Sequence, residues 1–125
     1  MISIVRHPLE WDGWAKARAL LEQSVSKSGD CTIEEVEAAL ADIAKAQLWV
    51  AGDVELVAVT QLYPGECFVW HMAGDFARWG QEMTDAATKW ARAEGCTKME
   101  LNARPGWQRR LRDWDVVTVT LRKVL

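Results

Sequence analysis

Apolar residues recur along this chain at two spacings, a period of two and a period near three and a half, and where one gives way to the other marks the predicted elements. The opening run Met1-Ile2-Ser3-Ile4-Val5-Arg6 is strand-like and His7-Pro8 ends it. Trp14, Ala17, Leu21 and Val25 mark one face of a helix over roughly residues 10–25, with residues 26–30 as its loop. Thr32-Ile33-Glu34-Glu35 is a capping box, which starts a second helix with the stripe Ile33, Val36, Leu40, Ile43 and an end near residue 46. Three extended runs follow: Leu48-Trp49-Val50-Ala51, residues 54–63 after the hairpin signal Gly52-Asp53, and residues 67–73 after the turn Pro64-Gly65. Trp79, Met83, Ala86, Ala87, Trp90 and Ala91 then give the longest helical stripe, predicting a helix over residues 76–94 that Gly95 stops. Residues 98–102 return to period two, Arg104-Pro105-Gly106-Trp107 interrupts, and Val116-Val117-Thr118-Val119-Thr120-Leu121 is β-branched enough for a closing strand.

The resulting order is β-α-α-β-β-β-α-β-α-β, an α/β arrangement with a mixed sheet. Its strand-helix-strand unit over residues 67–102 implies parallel pairing. A chain of 125 residues is expected to form one domain, residues 1–125. No apolar stretch approaches bilayer length and nothing at the N-terminus reads as a signal peptide, so a soluble, cytoplasmic protein is expected. Three cysteines without C-x-x-C spacing favour a reducing compartment and argue against structural zinc. A formal net charge of −3 does not point to nucleic acid. The basic group Arg104, Arg109, Arg110 and Arg112 is the only feature that would, and such a group is more often a solvated helix face.

Two helices after the first strand, a three-strand meander and then a βαβ unit resemble the GNAT superfamily of acyl-CoA-dependent N-acetyltransferases. The segment from Arg104 to Leu111 followed by Trp114 and a last strand is similar to that family's fourth helix and final strands, especially in short GNAT-like proteins of phages. The resemblance implies a fourth strand that parts from the fifth, leaving a cleft. It also implies a loop whose backbone amides and helix N-terminus hold the pyrophosphate of acetyl-CoA. The corresponding stretch is Gly74-Asp75-Phe76-Ala77-Arg78-Trp79-Gly80-Gln81, which assigns Phe76, Ala77, Arg78, Trp79 and Gly80 to the cofactor. It departs from the family pattern: the spacing is R-x-G and the second small residue is missing. Asp75 either repels a diphosphate or caps the helix.

Amide formation by this route needs a base for the acceptor ammonium and an acid for the leaving thiolate. The family's usual acid is a tyrosine in the fourth helix, where this chain has Leu111, and the only tyrosine is Tyr63. His71 and Glu66 are the candidate catalytic residues, His71 having the intrinsic pKa of a base. Cys67 and Asn102 also fall near the implied cleft. A single His in an apolar strand more often has a structural role, and Cys67 and Cys96 read as small buried hydrophobes.

Eight tryptophans are the remaining anomaly. Trp49, Trp70 and Trp90 fit periodic core positions. Trp11, Trp14 and Trp107 do so less well, and aromatics beside arginines are what protein interfaces use as anchors. The expected functions are therefore an acetyltransferase acting on a small-molecule or protein amine, with CoA at Arg78 and Gly80, or a non-catalytic GNAT-fold binding protein, virion-associated in the phage case, whose partner is another protein.

Overall fold

A computed structural model of the chain describes residues 1–102, 111, 113–115 and 123–125. The expected fourth helix and last strand, with Trp107 and the arginine group, lie outside these residues. Strand β1 (Ile2–Val5) is followed by a 3₁₀ turn (Pro8–Glu10), helix α1 (Trp14–Ser28) and helix α2 (Ile33–Leu40). Then come β2 (Ala46–Ala51), β3 (Leu56–Tyr63), β4 (Glu66–Gly74), helix α3 (Phe76–Ala93) and β5 (Lys98–Leu101). The sheet runs β1-β2-β3-β4-β5, with every neighbouring pair antiparallel except β4 and β5, which are parallel. This mixed α/β sheet is the predicted architecture.

Local chemistry sets the boundaries. Thr32 and Glu35 close the capping box, the Thr32 Oγ1 accepting from the Glu35 amide at 3.2 Å. Helix α2 then ends at Leu40, earlier than its apolar stripe predicts. The Asp42 carboxylate accepts from the Ala44 amide at 2.9 Å, a local turn that competes with the helix, and Ile43 is left exposed. Helix α1 starts at Trp14 and not near residue 10, because Pro8 opens a short 3₁₀ turn and Trp11 returns to extended backbone. A side chain at Gly13 would stand 2.3 Å from the Trp11 ring. Gly29 ends α1 in the left-handed region.

Two cores sit on opposite faces of the sheet. Ala17, Leu21 and Val25 of α1 and Val36 and Leu40 of α2 pack on Leu48, Val50, Val57 and Val59. Phe76, Met83 and Ala87 of α3 pack on Trp49, Ala51, Leu56, Ala58, Val69 and Met72, with Leu111 joining them. Trp49 meets Trp90 edge to face, centroids 5.5 Å apart. The β2–β3 connection is tight and strained: Val54, a β-branched residue, has φ of 53° and is buried in the α1-side core.

Candidate active site

Strand β4 pairs with β5 only from Glu66–Lys98 to Val69–Leu101. Residues 70–74 run on past the end of β5, whose four residues are all paired, so β4 overhangs its parallel neighbour where the resemblance places its cleft. On its other edge β4 carries a bulge: Val59 faces His71 while Thr60 faces Val69, leaving Trp70 as the extra residue. Without that insertion, strict alternation would put residue 71 on the same face as Val69, towards α3. With it, Trp70 and His71 both turn towards α1.

His71 is buried and bridges two elements. Its Nδ1 lies 3.0 Å from the Ser24 Oγ of α1, and its Nε2 lies 3.4 Å from the Cys31 Sγ in the α1–α2 loop. The Trp70 ring leans on the imidazole, centroids 4.9 Å apart. Burial lowers the His71 pKa from its ordinary value. Burial, then the charges of Glu35 and Asp30, raise that of Cys31. Both groups are therefore neutral at pH 7. Ser24 and Cys31 lie near each other in sequence but 47 and 40 residues from His71, and only the fold brings the three together.

Glu66 stands at the other end of β4, roughly 15 Å from His71 at the rise of a strand. Its carboxylate is 3.3 Å from Lys98 Nζ. The two candidate catalytic residues are thus not brought together. Cys67, next to Glu66 in β4, is fully buried; burial, with a smaller contribution from Cys96, pushes its thiol up to about 11. Asn102 is exposed just after β5, and Leu111 is buried on the α3 side.

At the N-terminus of α3, Asp75 is the cap, its carboxylate accepting from the Arg78 amide at 3.1 Å. A residue overlooked in the sequence dominates this rim. Glu55 Oε1 accepts from Arg78 Nη1 at 3.1 Å, and Oε2 accepts from Trp79 Nε1 at 3.0 Å. The Glu55 carbonyl accepts from the Asp75 amide at 2.8 Å. Gly74, at φ of 123°, allows this approach, since a side chain there would meet the Glu55 carbonyl at 2.3 Å. The Arg78 guanidinium also lies over the Trp79 ring, 5.3 Å from its centroid. Phe76 is buried, Ala77 is exposed, and the missing side chain of Gly80 makes room for the Phe76 ring, 2.7 Å from where a Cβ would sit. Two carboxylates, those of Asp75 and Glu55, therefore share the rim with the Arg78 guanidinium. The Arg78 side chain is 64% exposed, so its pair with Glu55 is open to exchange with solvent anions.

Trp11 and Trp14 both pack against the α1-side core, and Trp14 Nε1 donates to Glu37 Oε2 at 3.3 Å. Half-buried in this way, they give less to an outside partner than the sequence suggests. Among the described residues no cluster of His, Cys, Asp or Glu is composed to hold a metal, and no helix is long and apolar enough to cross a membrane.

No protein-family profile and no curated protein sequence matches the chain. Solved structures do. A ribosomal-protein-alanine N-acetyltransferase from Brucella melitensis biovar Abortus 2308 superposes with a TM-score of 0.63 at 17% identity, covering 98% of this chain and 99% of that one. The chain has the GNAT fold. A Trypanosoma brucei acetyltransferase gives a TM-score of 0.66 at 12% identity over 100% and 99% of the two chains. The aminoglycoside N-acetyltransferase AAC(6')-Iy, solved with the bisubstrate analogue CoA-S-monomethyl-acetylneamine, gives 0.64 at 15% identity over 100% and 98%. At these identities the likeness establishes the GNAT fold alone.

Proposed function

We propose that this chain, as a single domain, is an acyl-CoA-dependent N-acetyltransferase acting on an amine. The observation that carries the reading is the overhang of β4 beyond β5 after Val69, which leaves residues 70–74 without a strand partner on the β5 side among the described residues. An extended acyl-thioester chain can lie along such an edge and use its hydrogen-bonding groups. The acyl donor would place its pyrophosphate against residues 76–80, with Arg78 as the cation. Among the candidate bases, His71 sits on the overhanging segment and takes the role of proton acceptor, whereas Glu66 lies on the paired half and is held by Lys98. The acceptor is a small-molecule or protein amine, and the three free thiols agree with a reducing, cytoplasmic location.

Calorimetric titration with acetyl-CoA tests this without knowledge of the acceptor. Saturable binding at micromolar to low millimolar concentration is expected. Absence of heat and of competition at that concentration would reject it.

One observation favours a second reading, a GNAT-fold protein that binds another protein without catalysis, virion-associated if the chain is phage-encoded. Asp75 and Glu55 place negative charge where the donor's phosphates would lie. If Glu55→Gln fails to restore acetyl-CoA binding to a chain that shows none, this second reading stands.

A further inference from the structure

The Ser24–His71–Cys31 arrangement has more chemistry than a buried histidine needs. A structural imidazole is held well by a hydroxyl on one nitrogen and a carbonyl or carboxylate on the other. Here the second partner is a thiol, a weak hydrogen bonder but a strong nucleophile once deprotonated. The ring is fixed from three directions, by Ser24 at Nδ1, by Cys31 at Nε2 and by the Trp70 ring. His71 itself is 4% exposed, while Cys31 is only half-buried in the loop between the helices. The chain therefore ends at the surface on its nucleophilic member. Nucleophile, base within hydrogen-bond reach and a third group orienting the base are the ordered parts of covalent acyl transfer.

We infer that Cys31 is an acyl-accepting nucleophile, with His71 as its base and Ser24 as the residue that positions His71. The inference rests on the proposed acyl transfer and deepens it. As Cys31 Sγ attacks the carbonyl carbon of an activated acyl donor, a thioester or ester, its proton passes to His71 Nε2. The bond from the acyl carbon to the donor's sulfur or oxygen breaks, and that leaving group takes the proton from His71. The products are a free thiol or alcohol and a thioester on Cys31. An amine then attacks this thioester, giving its proton to His71; the carbon–sulfur bond breaks, and Cys31 recovers the proton as the amide leaves. No redox equivalent is gained or lost. In the tautomer the step needs, Nε2 accepts the thiol proton and Nδ1 carries a hydrogen, which the Ser24 Oγ, 3.0 Å away, is placed to accept. Burial holds both His71 and Cys31 neutral, so the thiol is deprotonated only during attack.

The test uses the full chain with p-nitrophenyl acetate and, separately, acetyl-CoA. Nitrophenolate release is followed before steady state, and acetylated residues are mapped by mass spectrometry. The expected result is a burst of about one equivalent with acetyl on Cys31, lost in Cys31→Ala. His71→Gln should slow the burst by at least about a hundredfold, the lower end of general-base contributions. Ser24→Ala should slow it less, and Ser24→Thr, which keeps a hydroxyl, should restore it. Should His71→Gln not fold, Cys31→Ser keeps a group able to pair with His71 and is expected to fold and show no burst. Acetylation of Cys31 at the wild-type rate in His71→Gln, or acetyl found only on other residues, would overturn the inference. The two readings separate cleanly. If p-nitrophenyl acetate labels Cys31 through His71 while acetyl-CoA does not bind, the CoA donor is wrong and the nucleophile stands. If acetyl-CoA binds and Cys31→Ala acetylates an amine at undiminished kcat, the nucleophile is wrong and the acetyltransferase stands.

Discussion

Two polar chains cross the core of this protein, one on each side of the sheet, and they end differently. On the α3 side Trp49 Nε1 donates to Thr60 Oγ1 at 2.9 Å, Thr60 donates to Gln47 Oε1 at 2.8 Å, and Gln47 Nε2 donates to the Ile43 carbonyl at 2.6 Å. The three side chains are neutral and buried, and the chain closes on backbone. On the α1 side Ser24, His71 and Cys31 form a chain of similar length whose members include two titratable groups and whose last member reaches the surface. A closed neutral chain fixes strand register and does nothing else. An open one ending in a thiol is built to move a proton. Polar burial alone therefore does not mark a site; what marks it is where the chain of hydrogen bonds stops.

Thr60→Val tests that contrast most severely. It strands the Trp49 N–H and one Gln47 lone pair in the dry core, so a loss of about 2–4 kcal/mol in denaturant unfolding is expected. Ser24→Ala, with water near at hand, should cost under about 1 kcal/mol. Equal losses would erase the distinction between a structural and a reactive chain. The charged rim of α3 forms a third polar group and gives the next effect. Arg78→Ala should weaken acetyl-CoA by about 1.5–3 kcal/mol in calorimetry, as expected for charge-assisted hydrogen bonds, while barely moving the melting temperature, because the Arg78–Glu55 pair is largely solvated. Unchanged affinity would move the phosphate site elsewhere. Thr32→Ala removes the α2 cap beside Cys31 and should cost about 1 kcal/mol. If the open chain depends on loop geometry, the same variant slows acylation of Cys31. The smallest effect expected is with pH. His71 has a folded pKa below its unfolded value of 6.5, so below that value the unfolded chain takes up the proton first and stability falls with acidification. His71→Gln should flatten that arm of the stability curve and leave the neutral range as it was.

Much of the fold was legible because its determinants are local. The Thr32–Glu35 box, the helical stripes of α1 and α3 and the turn at Pro64-Gly65 each lie within a few residues, and the parallel β4–β5 pairing follows from strand, helix and strand in succession. The end of α2 was misjudged where a single side chain, Asp42, competes with the backbone. The site was less legible. In the run Cys67-Phe68-Val69-Trp70-His71-Met72-Ala73 every residue but His71 is apolar, so a bulge leaves no trace in its pattern, yet the bulge decides which face His71 takes. Glu55 falls at the start of an expected extended run just after the Gly52-Asp53 hairpin signal, with no motif that would pair it with α3, and its bonds to Arg78 and Trp79 span the length of β3 and β4.

Val54 sets where that carboxylate stands. A β-branched residue in the left-handed region carries a penalty of about 1–2 kcal/mol, which its burial against the α1-side core offsets. The turn that presents Glu55 to α3 is thus shaped both by Gly52, at φ of 59°, and by an apolar anchor on the other side of the sheet. Such a turn is not portable: residues 52–55 grafted onto another hairpin would relax to ordinary backbone and lose the carboxylate's aim.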